Sequence, residues 1–228
     1  DNNFGMMFID SVGDIFNQVS FGTTGNDVLS FGRKTQNGKI LLNGWSFSYD
    51  STSMGFYKGY VVITDTQGNF ERSFVIKKNN TIFNKLFNGV YSNGAYYFCG
   101  QEYDSSCTFA TPEIFMSKTD TLGNILWYKT YPQFNSFVGH LMGLEYTFDS
   151  ASILMGCSNI DSSIGTTNYY SYLLLQIDTA SGDLIKRINL PTQNNLFVAM
   201  NNLMTISQTT NNRYIASGER DLFILDSS

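Results

Sequence analysis

The segment Met116-Ser-Lys-Thr-Asp120-Thr-Leu-Gly123-Asn124 decides the fold, because versions of it recur along the chain. Each copy is an apolar run followed by Asp, two or three further residues, and then Gly with Asn or Asp. The other copies end in Asp10-Ser-Val-Gly13-Asp14, Asp65-Thr-Gln-Gly68-Asn69 and Asp178-Thr-Ala-Ser-Gly182-Asp183, and a truncated fifth ends at Asp226. The first four Asp residues are about 55 to 58 positions apart, which is the length of a supersecondary repeat.

A second landmark lies between these copies: an apolar run that ends in Gly and follows a tight-turn signal. The runs end at Gly44, Gly100, Gly156 and Gly218. The clearest turn signals are Asn-Gly pairs, which accept positive φ at both central positions of a hairpin. The repeat is therefore predicted to be two consecutive hairpins, which form a four-stranded antiparallel sheet of about 55 residues.

Four-stranded units repeated in line, with no helical period, predict an all-β fold and favour a β-propeller over a sandwich of independent hairpins. We expect one domain over 1–228 with four to five blades. A partial blade is predicted at 1–22, complete blades at about 27–77, 84–132 and 140–190, and a partial blade at 202–228. The incomplete end blades leave two alternatives: a segment of a longer chain, or a protomer whose open edges neighbours complete.

Two stretches carry a resemblance to a known family. Tyr96-Tyr-Phe-Cys-Gly100 is followed by Ile114-Phe-Met-Ser-Lys-Thr-Asp120 and, after the turn, by an aromatic strand that ends at Tyr131. This order resembles the degenerate β-propeller repeats of secreted proteins, and the likeness covers nearly the whole chain. It implies a fold and an extracytoplasmic setting, and it implies no activity. Trp127 has no aromatic counterpart in the other copies, and the fourth turn carries an insertion.

Composition and charge exclude several classes of protein. With 42% hydrophobic, 15% aromatic and 14% charged residues the chain is too apolar to be disordered. A net charge of −5 with few basic residues predicts no nucleic-acid partner, and no apolar run is long enough to span a membrane as a helix.

The chain opens at Asp1 without Met or a leader, which fits a cleaved signal peptide or an excised segment. The Asn79-Asn80-Thr81 motif predicts a glycan on Asn79, and an extracellular or cell-surface location.

No catalytic, cofactor or metal site is predicted. The Asp turns hold too few acids for a calcium site, so the Asp side chain is expected to accept turn amides instead. His140 is the only histidine, which excludes multi-histidine metal sites. The alternative of a carbohydrate-active enzyme needs two converging carboxylates, and the acids near the long loops are Glu102, Asp104, Glu113 and Asp161. A soluble ligand-binding propeller, the remaining alternative, needs a lined central channel.

Aromatic residues around the long loops between second and third strands suggest a surface for protein or carbohydrate contact. This candidate interaction surface consists of Trp45, Phe47, Tyr49, Phe56, Tyr57, Tyr103, Tyr169 and Tyr170. We therefore expect a non-catalytic extracellular structural or interaction propeller, glycosylated and assembled head to tail into a fibre. Its expected partners are protein, through self-association or a larger assembly, and glycans.

Three cysteines cannot all pair within one chain. Cys99 and Cys107 form a candidate disulfide across a short loop, and Cys107 could instead reach Cys157. Buried, idle thiols are the other interpretation.

Overall fold

The computed structural model shows a β-propeller and describes residues 3–47, 57–78, 81–104, 112–135, 143–164, 167–190, 205–209, 213–217 and 222–226. Every regular element in these ranges is a β-strand, as predicted, and the strands form five antiparallel sheets. Within the same ranges, no helix is long and apolar enough to cross a membrane.

The strands of each sheet lie side by side in sequence order. The N-terminal sheet contains β1 (Phe4–Ile9) and β2 (Ile15–Phe21). Blade 1 contains β3 (Asp27–Lys34), β4 (Ile40–Ser46), β5 (Lys58–Thr64) and β6 (Phe70–Ile76). Blade 2 contains β7 (Thr81–Ser92), β8 (Ala95–Asp104), β9 (Glu113–Thr119) and β10 (Ile125–Asn135). Blade 3 contains β11 (Leu144–Tyr146), β12 (Ser152–Ile164), β13 (Thr167–Asp178) and β14 (Leu184–Leu190), and the C-terminal sheet contains β15 (Thr205–Gln208), β16 (Arg213–Ser217) and β17 (Leu222–Asp226).

Four blades surround a central axis, and the C-terminal sheet serves as the fourth. Their first strands β3, β7, β11 and β15 meet there, because each contacts the next and all four line one cavity. The N-terminal sheet packs on the open face of blade 1, where Phe4 joins Leu42, Tyr60 and Val62 in one buried cluster. The predicted propeller is confirmed, with the sheets stacked face to face along the chain.

The hairpin turns follow the sequence signals. Asn93 and Gly94 have φ values of 50° and 76°, so the two-residue loop between β7 and β8 is a turn with positive φ at both positions. The loop before β4 is longer, and Gly38 takes the positive φ there. Both turns let the strands keep their right-handed twist, which types with negative φ would oppose.

The glycines in the second strands of blades 1 and 2 have a steric cause. A Cβ atom at Gly44 would lie 1.8 Å from the carbonyl oxygen of Val28, and one at Gly100 would lie 1.9 Å from that of Lys85. In both blades the first strand has a bulge beside this point, which pushes its backbone toward the second strand. In blades 1 and 2 the recurring Gly is therefore required by close backbone approach.

The turns between third and fourth strands are built on their Asp residues. Asp120 Oδ1 accepts the backbone N–H groups of Leu122 at 2.8 Å and Asn124 at 2.9 Å, and Oδ2 accepts Asn124 Nδ2 at 2.7 Å. Asp65 makes the same three contacts in its own turn. The side-chain hydrogen bond from Asn124 is the main cause that holds the pKa of Asp120 below its ordinary value. The predicted structural role of these Asp residues is confirmed.

In blades 1, 2 and 3 this turn also docks on the outer strand of the preceding sheet. Trp127 Nε1 donates to Thr179 O at 3.2 Å, and Arg72 Nη1 donates to Thr121 O at 2.6 Å. At the equivalent position of the N-terminal sheet, Asn17 Nδ2 donates to Gln67 O at 3.1 Å. The turn Gly packs so closely that an added Cβ would meet the preceding strand, at Phe8 for Gly68, Phe74 for Gly123 and Trp127 for Gly182.

Apolar side chains fill the space between successive sheets. The largest of these cores lies between blades 2 and 3, where Tyr97, Cys99 and Met116 pack with Ile153 and Leu173. Burying each large apolar side chain contributes about 1.5 to 3 kcal/mol, so these interfaces supply most of the stability of the fold.

Replacing Gly123 by Ala is expected to destabilise the protein more than replacing Gly94. Both glycines have positive φ, which costs a β-carbon residue about 1 to 2 kcal/mol. Only at Gly123 would the new Cβ also press on the Phe74 ring, 2.5 Å away, whereas nothing lies within 4 Å at Gly94. The contact adds about 1 to 3 kcal/mol. Urea unfolding of both variants measures the difference, and equal losses would contradict the docking of this turn on blade 1.

Candidate functional site

The outer face of the N-terminal sheet exposes side chains that are buried in the complete blades. Met7 and Ile9, three and one positions before the turn Asp, are 49% and 56% exposed. At the same positions in blades 1, 2 and 3 every side chain is 0% exposed: Val62 and Thr64, Ser117 and Thr119, Leu175 and Ile177. In the complete blades these positions face the preceding sheet. The N-terminal sheet thus presents one half of an interface between blades.

This surface, called the leading face below, is a connected apolar patch. Ile15 is the cross-strand partner of Ile9, so both side chains lie on the same side of the sheet. Val12 in the adjoining turn is also exposed. An apolar patch of this kind marks an interaction site more often than chance exposure.

The C-terminal sheet exposes the opposite half of such an interface. Ile224, two positions before Asp226, is 63% exposed, whereas Ile63 at the same position of blade 1 is 1% exposed. Ile63 is buried against blade 2, in one cluster with Leu86 and Phe115. The side of the C-terminal sheet that carries Ile224 is called the trailing face. The leading and trailing faces correspond to the two sides of one intramolecular blade contact.

The structure brings three of the predicted surface aromatics together. The ring of Tyr57 makes edge contacts with Phe47 at 4.3 Å and Trp45 at 6.4 Å between centroids. Lys85 Nζ lies 4.7 Å from the Tyr57 ring and 5.0 Å from the Trp45 ring, and burial lowers the pKa of this lysine. Tyr103 is half-buried and its pKa is raised by burial. The rings of Trp45, Phe47 and Tyr57, together with the Lys85 ammonium group, form a partly exposed cluster.

The other predicted aromatics lie wholly or partly outside the described residues. Tyr49 and Phe56 lie outside the described residues. Tyr169 and Tyr170 lie on strand β13, and their side chains are outside the described part of the structure.

Two of the four loop acids are cross-strand partners. Glu102 on β8 lies directly opposite Glu113 on β9. Glu102 is buried, accepts a hydrogen bond of 2.5 Å from Tyr128 OH, and has Lys78 Nζ 3.5 Å from its other oxygen. Burial is the main cause that raises the pKa of Glu102, and the charge of Glu113 adds to it. The side chains of Asp104 and Asp161 lie outside the described part of the structure.

The cysteines give no support to the candidate disulfide. Cys99 is a free, fully buried thiol between blades 2 and 3, where Cys157 is also free and buried. Burial raises the pKa of Cys157 to about 12, and that of Cys99 above its ordinary value. Cys107 lies outside the described residues, as do Asn79 and His140.

A polar network at the axis was not among the sequence candidates. Arg33 at the end of β3 forms a 3.1 Å ion pair with Glu145 on β11, and Gln36 hydrogen-bonds the hydroxyl of Tyr146. The only sign of Arg33 in the sequence is a charged residue just before the turn that joins the first two strands of blade 1. Nothing in the sequence shows that residues from different repeats meet. Within the described ranges, no group of three or more His, Cys, Asp or Glu side chains could hold a metal ion.

Comparison with known proteins finds similarity among solved structures. No protein-family model and no curated protein matches the chain. A sucrose-6-phosphate hydrolase from Lactobacillus gasseri is similar over 86% of this chain, with 11% identity and a TM-score of 0.48. The match spans 41% of the length of that hydrolase.

Replacing Glu102 by Gln is expected to change how stability depends on pH. Because the folded-state pKa of Glu102 lies above the ordinary value of 4.5, the native state binds this proton more tightly than the unfolded state. The stability that Glu102 contributes is therefore present at low pH and is lost as pH rises through the folded pKa. Relative to the wild type, Glu102→Gln should gain stability as pH rises from about 4 to 7.

Urea unfolding at several pH values measures this difference. Asp149→Asn is the control. Hydrogen bonds from Thr147 and Ala151 lower the pKa of Asp149 below its ordinary value of 3.8, so its contribution is fully present above about pH 5 and this variant should run parallel to the wild type from there to pH 7. A constant difference between wild type and Glu102→Gln would contradict a raised pKa at Glu102.

Proposed function

We propose that this chain is a non-catalytic structural and interaction β-propeller that assembles head to tail through its leading and trailing faces. The observation that carries the proposal is the exposure of Met7 and Ile9 at positions that are 0% exposed in all three complete blades. The proposed occupant of the leading face is the trailing face of a second copy. The choice rests on continuity with the blade 1–2 contact, in which Ile63 already packs as Ile224 would.

The geometry of the two faces determines the kind of assembly. They are different surfaces, one on the first sheet of the chain and one on the last, so the contact is heterologous and adds one copy after another. Such contacts form open filaments unless the rotation closes a ring. Each large apolar side chain that becomes fully buried contributes about 1.5 to 3 kcal/mol, which favours association once several are covered together.

The proposed setting is extracellular or at the cell surface, with a glycan on Asn79. The acceptor motif and the low charge of the chain support it. Protein partners, with glycans as additional ligands, follow from the same proposal. The aromatic cluster of Trp45, Phe47 and Tyr57 around Lys85 is a second surface suited to such contacts.

One observation favours a second candidate, a carbohydrate-active enzyme. Glu102 and Glu113 are opposite each other, and a buried carboxyl with a raised pKa can act as a proton donor. Nitrophenyl glycosides are the probes for this activity. Hydrolysis that both Glu102→Gln and Glu113→Gln abolish would establish the enzyme, and hydrolysis that survives both would exclude these residues.

Blocking either face is expected to stop growth of the assembly. The variant Met7→Lys with Ile9→Lys places two charges on the leading face, and Ile224→Lys places one on the trailing face. All three positions are exposed, so folding should be unaffected. Each blocked variant alone should be monomeric, whereas an equimolar mixture should form heterodimers through the one intact pair of faces. Sedimentation velocity from micromolar to near-millimolar concentration measures the species.

The control is Leu122→Lys, which changes an exposed apolar residue in a turn of blade 2 and should assemble as the wild type does. A wild type that stays monomeric throughout the concentration range would overturn the assembly. Persistent homodimers of a single blocked variant would overturn the head-to-tail geometry, since they require like faces to meet.

A further inference from the structure

The central axis holds a polar cavity that the proposed assembly does not use. It has a volume of about 270 Å³ and opens on the side of the tight turns, where the first strands of four blades end. Among the ten lining residues only Val90 is apolar. The others include Arg33, Gln36, Tyr91, Glu145, Tyr146 and Gln208. The volume is just below the ~300 to 1,000 Å³ typical of ligand pockets.

An ion pair crosses this cavity between blades 1 and 3. Arg33 Nη2 lies 3.1 Å from Glu145 Oε2, and Arg33 Nη1 donates to Leu144 O at 3.4 Å. The carboxylate of Glu145 is buried, and its other oxygen accepts the backbone N–H of Tyr146. Burial raises the pKa of Glu145 above its ordinary value. A buried ion pair is weak evidence for stability, because desolvation offsets most of the attraction.

Amide and hydroxyl groups surround the ion pair. Gln36 Nε2 donates to the hydroxyl of Tyr146, and Gln208 Nε2 donates to the carbonyl oxygen of the same residue. A side-chain amide has two donor hydrogens and an acceptor oxygen, so these contacts use only part of its capacity. Tyr91 and Tyr146 add aromatic rings to the lining, and Ser207 adds a hydroxyl.

We propose that this cavity binds a small neutral polyhydroxylated molecule of monosaccharide size. Arg33 and Glu145 neutralise each other and offer directed donors and acceptors, while Lys34 adds one further donor and a single positive charge to the lining. Vicinal hydroxyl groups both donate and accept, which matches the mixture of amide, carboxylate and guanidinium groups. Tyrosine rings supply flat apolar area for the C–H face of a sugar ring at little entropy cost.

Ligand-observed NMR on the full chain tests this site. The probes are D-glucose, D-galactose, D-mannose and D-xylose, with inorganic phosphate as the charged probe. Ser207→Trp fills the cavity from the exposed end of β15, and Thr205→Trp places the same ring two residues away on that strand, outside the lining. At least one sugar should bind the wild type and Thr205→Trp, and its affinity should fall at least ~10-fold in Ser207→Trp.

Three results would overturn the proposal. If none of the four sugars binds, the polar network only holds the blades together at the axis. If a sugar binds Ser207→Trp as tightly as it binds the wild type, its site lies outside the cavity. Phosphate that displaces the bound sugar or binds in its place makes this an anion site. Unfolding curves of both Trp variants check that each is folded. The outcome is independent of assembly, because the cavity and the end faces share no residue.

Discussion

The docking of each Asp turn on the preceding sheet is the contact on which the rest of the structure depends. The carboxylate of Asp120 organises the turn by accepting its amides, and Gly123 takes the left-handed conformation that brings the turn onto Phe74. The backbone carbonyl of Thr121 then accepts Arg72 from the neighbouring blade. One short motif therefore determines both the fold of a blade and its position relative to the blade before it.

The Asp turns of blades 1, 2 and 3 each dock on the sheet before them, so the two sides of a sheet have different neighbours. This difference explains why the first and last sheets each have an uncovered side. Every sheet buries one side against its predecessor and the other against its successor, so the first and last sheets each leave one side without such cover. The turn of the N-terminal sheet shows the consequence, since no described atom lies within 4 Å of a Cβ built at Gly13. At Gly68 and Gly123 the same position is filled. Uncovered apolar area follows from the repeat itself.

The repeat is enough to predict the fold, because turn chemistry is local. Asn93-Gly94 and the Asp turns determine where hairpins form and which residues need positive φ. Turn chemistry does not show which residues of distant strands meet in space. The pairing of Glu102 with Glu113 depends on the register of two long strands, and Arg33 meets Glu145 across 112 positions of sequence. Aromatic composition indicated Trp45 and Tyr57 as a surface, but the lysine between them has no pattern that marks it.

Comparison among the repeats separates positions that the fold constrains from positions that it leaves open. Asp recurs in all four complete turns because its carboxylate accepts the turn amides. At the axis, Arg33, Val90, Tyr146 and Ser207 occupy equivalent places beside the second strand, and no two of them are alike. The propeller needs no particular side chain there. A specific polar cavity at the axis is therefore chemistry that the scaffold permits but does not require, which leaves these positions open to the binding proposed for them.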